Sequence, residues 1–76
     1  MRVTVHLFAD FRRTLGWATR EWEVAEGTTL GDLWGRVAAD RIAVAPLMAR
    51  NQAYAAAETP VAAGDEVAFF PPVAGG

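Results

Sequence analysis

Val67-Ala68-Phe69-Phe70 is apolar at every position, and two prolines, Pro71 and Pro72, come directly after it. A β-rich run with no polar face reads as a central strand covered on both sides rather than an edge strand. The prolines remove two backbone donors and bias the chain toward an extended left-handed conformation, so sheet pairing has to stop there. A fold for this chain must therefore place residues 67–70 in the middle of a sheet and release the C-terminal segment from it. Residues 71–76 span roughly 20 Å when extended. Gly75 and Gly76 carry no Cβ, which leaves the last carbonyl carbon sterically open. A slim tether ending in an unhindered carboxylate suits a group carrier whose end is activated and received in a narrow channel of another enzyme.

Upstream, the residues supply the rest of a small sheet. Arg2 to Ala9 alternates, with Val3, Val5 and Leu7 on one face and Thr4, His6 and Phe8 on the other, which predicts a half-buried first strand. Asp10 is placed to cap a short helical turn over Phe11 to Leu15, closed by Gly16. Thr19 to Val24 alternates again and predicts a second strand antiparallel to the first. Glu26-Gly27 supplies a turn. Thr28-Thr29 followed by Asp32 resembles a capping box with Asp in the place of the usual Glu or Gln. Leu30, Leu33, Trp34, Val37 and Ala38 then form one apolar stripe at helical spacing, and Trp34 is read as core. Beyond Arg41, Ile42 to Pro46 reads as a connection, Leu47 to Arg50 as a short strand, Asn51-Gln52 as a turn and Ala53 to Ala55 as a poor strand. Glu58-Thr59-Pro60 and Ala63-Gly64-Asp65 are turns, the second feeding the terminal strand.

Strand, strand, helix, two short strands and a long one make an α+β chain of the β-grasp type. The expected domain is 1–70, a small mixed sheet with one main helix packed on one face. Residues 71–76 form an extended, flexible tail. If the first and last strands lie parallel at the centre, parity sends Val3, Val5, Leu7, Val67 and Phe69 toward the helix. Thr4, His6, Phe8, Ala68 and Phe70 are left on an open face. Phe8 and Phe70 then form an exposed apolar patch at the root of the tail, with Tyr54 as a candidate third member, and such a patch suggests a partner surface.

Composition narrows the chemistry. With 76 residues and no Cys, there is one small domain with no disulfide framework, no thiolate metal site and no thiol nucleophile, so sulfur chemistry has to be brought in from outside. The formal charge of −2 argues against a nucleic-acid surface. All seven cations are Arg, dispersed along the chain, so no lysine can accept an isopeptide. No signal peptide or membrane span is read, and a cytoplasmic location is expected. His6 stands alone and reads as structural rather than as a metal ligand. Glu21 and Glu23 share the outer face of a strand and read as solvation. Gly27-Thr28-Thr29 is too short for a phosphate loop, and no catalytic triad order is present.

Asp65-Glu66-Val67-Ala68-Phe69-Phe70-Pro71-Pro72-Val73-Ala74-Gly75-Gly76 resembles the C-terminus of the small, sulfur-carrying subunit of molybdopterin synthase, of the MoaD/ThiS ubiquitin-like family. Leu7-Phe8-Ala9 with Phe11-Arg12, Thr28-Thr29-Leu30 and Asn51-Gln52 are similar as well. The resemblance implies that Gly76 is adenylated by an E1-like enzyme using ATP, converted to a thiocarboxylate, and inserted into the large synthase subunit to donate sulfur to cyclic pyranopterin monophosphate. It further implies a heterotetramer with a large-subunit dimer, no bound cofactor or metal, and no catalysis by this chain alone. Carried over by position, Gly76 bears the sulfur, Gly75, Ala74 and Val73 form the tail, and Phe8, Arg12, Phe70 and Pro71 contact the partner. Two other readings stay open: a carrier for thiazole formation in thiamine synthesis, and a non-covalent adaptor or protein modifier.

Overall fold

The computed structural model describes residues 1–72; the readings of Val73, Ala74, Gly75 and Gly76 lie outside the described residues. The chain runs β1 (Arg2–Leu7), α1 (Asp10–Leu15), β2 (Thr19–Glu23), α2 (Leu30–Ala38), β3 (Leu47–Arg50), β4 (Ala53–Tyr54) and β5 (Glu66–Phe70). The strands form one five-stranded mixed sheet in the order β2-β1-β5-β3-β4. β1 pairs antiparallel with β2 and parallel with β5, in register Val5 to Val67 and Leu7 to Phe69. β3 pairs antiparallel with both β5 and β4. This is the expected β-grasp arrangement, with the first and last strands side by side at its centre.

One face of the sheet carries the core. Val3, Val5, Leu7, Val67 and Phe69 are at most 2% exposed, and Leu30, Leu33 and Val37 of α2 close over them. Each fully buried aliphatic or Phe side chain stabilises the fold by about 2 kcal/mol relative to exposure. The Trp34 ring lies 4.9 Å from that of Phe11 and 4.9 Å from that of Phe69, which ties both helices to the central strand. α2 starts where the capping box predicts: the Asp32 amide donates to Thr29 Oγ1 at 3.0 Å, and the Thr29 amide donates to Asp32 Oδ2 at 3.2 Å. Those two bonds satisfy backbone donors that a helix start leaves open.

The start of β5 is held from the side. Asn51 and Gln52 both take positive φ, 51° and 70°, joining β3 to β4 in a two-residue turn. The Asn51 side-chain amide donates to Asp65 Oδ1 at 2.9 Å, and its Oδ1 accepts from the Glu66 amide at 2.9 Å. Asp65 Oδ2 accepts from the Ala62 amide at 2.7 Å. Burial pushes the Asp65 carboxyl up, but the hydrogen bonds from Asn51 and Ala62 and the nearby Arg50 charge outweigh it and hold it below the ordinary carboxylate value.

Several expectations are corrected. β1 ends at Leu7, two residues early, because Phe8 and Ala9 already turn toward α1. Asp10 does not cap α1; it lies inside the helix, paired with Arg13 at 3.1 Å, and the N-cap is Ala9, whose side chain has no oxygen to accept with. β2 stops at Glu23 and β4 at Tyr54, and β5 begins one residue earlier than read, at Glu66. β5 is central in the sheet but covered on one side only: Ala68 and Phe70 are half-buried among the described residues. The apolar character of its second face therefore reflects an exposed patch. Glu21 and Glu23 are more than solvation, since Arg2 reaches them at 3.6 and 3.2 Å. The Arg2 hydrogen bond and the Met1 ammonium lower the Glu23 carboxyl.

Candidate functional site at the root of the tail

The alternation of β1 and β5 brings two rings together on the open face. Phe8, 43% exposed, stacks on Phe70 with centroids 4.7 Å apart and planes 11° from parallel. Tyr54, 78% exposed, meets Phe70 edge-on at 6.3 Å. Cross-strand pairing explains its presence: Tyr54 lies opposite Ala49, and Ala49 opposite Ala68, so all three share one face. Leu47, opposite Phe70 and 40% exposed, extends the patch. Phe70 is the last residue of β5, and Pro71, half-buried, and Pro72, exposed, lead away from it.

A shallow cleft of about 500 Å³ runs beside these rings, lined by His6, Phe8, Tyr54, Glu66, Ala68 and Phe70. Its polar lining includes His6 of β1 and Glu66 of β5. His6 Nε2 is 2.6 Å from Glu66 Oε1, and His6 Nδ1 is 3.2 Å from Thr19 Oγ1. Both ring nitrogens are thus engaged within the chain, which leaves neither free for a ligand. Among the described residues, no group of three or more His, Cys, Asp or Glu side chains is placed to hold a metal ion.

Of the positions read from the sequence, Phe8, Phe70 and Pro71 converge at the tail root. Arg12 does not line the cleft; it stands exposed on α1. The Glu66 to His6 contact was missed because the two lie 60 residues apart, and only the parallel β1–β5 pairing brings them together. Among the described residues the cleft combines a smooth apolar stack with a polar rim, a composition that suits contact with another protein.

The ThiS family model matches residues 5–76. The chain belongs to the ThiS family, within the MoaD/ThiS superfamily. SAMP1 from Haloferax volcanii is 30% identical over 100% of both chains, with a TM-score of 0.81. A putative molybdopterin converting factor subunit 1 from Pyrococcus furiosus is 27% identical, covering 96% of this chain and 99% of that one, with a TM-score of 0.80. A protein complex of subunits 1 and 2 of the molybdopterin-converting factor from Helicobacter pylori contains a chain that is 22% identical over 100% of both, with a TM-score of 0.64, which shows a common fold. Members of this ThiS group are small ubiquitin-like carriers, not catalysts on their own. No helix among the described residues is long and apolar enough to cross a membrane.

Proposed function

We propose that this chain is the sulfur-carrying small subunit of a molybdopterin synthase. The observation that carries the reading is the stacked Phe8–Phe70 pair, with Phe8 exposed and Phe70 half-buried, where β5 passes into Pro71-Pro72 and the Gly-Gly end. It gives a partner enzyme an apolar handle at the base of a slim tether. The similarity to the Pyrococcus furiosus protein supports the reading, and a large-subunit partner is in keeping with the Helicobacter pylori complex, where a chain of the same fold is joined with subunit 2.

The chemistry is dictated by the end of the tether. A carboxylate is a poor electrophile, so the Gly76 carboxylate attacks ATP on an E1-like enzyme, releasing pyrophosphate and leaving an acyl-adenylate. A sulfur nucleophile then displaces AMP at a carbonyl carbon that no side chain shields. The thiocarboxylate is anionic and nucleophilic through sulfur at neutral pH. It enters the large subunit, where cyclic pyranopterin monophosphate accepts the sulfur, and that cleft provides proton transfer and electrostatic stabilisation. The assembly is a heterotetramer built on a large-subunit dimer in the cytoplasm.

The 30% identity to SAMP1 supports a second reading, a ubiquitin-like modifier joined through Gly76 to amines of other proteins. A carrier for thiazole formation stands third. Incubation with ATP, a sulfur donor and the cognate activating enzyme, followed by mass spectrometry of the C-terminal peptide, tests them. Oxygen-to-sulfur exchange at Gly76, with oxidation of Met1 and Met48 excluded by fragment mapping, is expected. Subsequent sulfur transfer only in the presence of a synthase large subunit supports the molybdopterin role. Transfer to a thiazole synthase, or Gly76 found in amide linkage to lysines of other proteins, would replace it. An unchanged terminus, with the activating enzyme shown competent on another carrier, would overturn all sulfur chemistry.

A further inference from the structure

Ala9 takes φ 53 and ψ −131, unlike Ala39 in the left-handed helical region. These angles belong to the first central residue of a type II′ turn, a place that normally calls for glycine. The Phe11 amide closes that turn onto the Phe8 carbonyl at 3.2 Å. Both flanks are pinned. On one side the Leu7 amide donates to the Ala18 carbonyl at 2.8 Å, and on the other Phe11 is 3% exposed and packed against Trp34. A residue with a Cβ persists in such a conformation only when its surroundings over-determine it, and strain of this kind collects at functional positions. The turn delivers Phe8, whose ring lies flat on Phe70 at the base of the tail.

We propose that Ala9 is a positioning residue: its strained turn fixes Phe8 against Phe70 and thereby holds the end of β5 from which Pro71 and Pro72 leave the sheet. The proposal rests on the carrier reading above. A glycine at this position would satisfy the same turn without strain, but would let the turn sample other conformations, so the Phe8 ring would no longer be held flat. An alanine restricts those alternatives. The strain is then the means by which the Phe8 ring is kept stacked on Phe70 at the end of β5.

The test uses the full chain and Ala9→Gly, with Phe8→Leu as a second variant that keeps an apolar side chain but removes the ring. Three quantities are read: the thermal midpoint, the ring-current shift of the Phe70 ring protons in the free protein, and single-turnover sulfur transfer by the assembled synthase. For Ala9→Gly the midpoint is expected to stay equal or rise, the ring-current shift to diminish, and transfer to fall roughly 10-fold, since small misplacements of a reacting group can cost up to about 10²-fold. Phe8→Leu is expected to abolish the shift and reproduce the transfer loss. A structural role alone would lower the midpoint together with transfer. An unchanged ring-current shift in Ala9→Gly, a lowered midpoint, or full transfer by Phe8→Leu would overturn the proposal. Absence of a thiocarboxylate on the unmodified chain would instead overturn the carrier reading, and the midpoint and the ring shift would still decide the role of Ala9.

Discussion

Phe69 and Phe70 are chain neighbours on opposite faces of one strand, and they have opposite fates. Phe69 is fully buried between the sheet and Trp34, whereas Phe70 is half-buried and meets Phe8 and Tyr54 near solvent. The helix-covered face uses close packing to hold the fold together. The open face places comparable side chains where packing is incomplete, which leaves their apolar area available to a partner. Residue type alone does not decide which of the two is buried; parity within the strand does.

Substitution at the two positions gives the largest contrast. Phe69→Ala should cost about 3–5 kcal/mol in denaturant unfolding, a large part of what a domain of this size has. Phe70→Ala should cost about 1 kcal/mol of stability, the worth of an aromatic pair, while weakening partner binding by about 2 kcal/mol or more in calorimetry. Equal stability losses at the two sites would break the comparison.

Both faces depend on where β5 starts, and there Asp65 accepts from Asn51 and Ala62. Asp65→Asn should lower stability by about 1–3 kcal/mol. In the unaltered chain the Asp65 carboxyl is held below its ordinary value, so on acidification the unfolded chain takes up a proton before the folded one does. The stabilisation is present above about pH 4 and is lost as pH falls through the lowered folded value. Urea unfolding across this range should show an acid-side decline that is shallower in Asp65→Asn.

The smallest effect calibrates the others. Gly35 lies in α2, exposed, with nothing within 4 Å of where a Cβ would stand. Gly35→Ala should stabilise by about 0.5–1 kcal/mol and leave partner binding unchanged. A change in binding would show that the helix side also takes part in recognition.

Local rules carried the reading far where their causes are local. The α2 start was legible because Thr29 and Asp32 are three positions apart and satisfy each other's neighbouring amides. The faces of β1 and β5 were legible because side chains alternate. Asp10 misled because a good cap residue next to a helix is persuasive, while the true cap, Ala9, is set by a turn that Phe11 and Leu7 impose from outside. The second face of β5 was legible only through parity, because an apolar run by itself reads as covered on both sides, whereas the alternation of the strand sends Ala68 and Phe70 to the open face.

By itself the sequence determined the element order, the helix cap, the inward and outward faces of the strands and the stop at Pro71-Pro72, all consequences of side-chain period and backbone chemistry within a few residues. Only the tertiary structure decided that His6 meets Glu66, that Asn51 braces Asp65, that Phe8 lies flat on Phe70, and that Ala9 takes turn angles that normally call for glycine. These depend on strand register and on contacts between distant segments, where several local preferences compete and the packing of the whole sheet chooses among them.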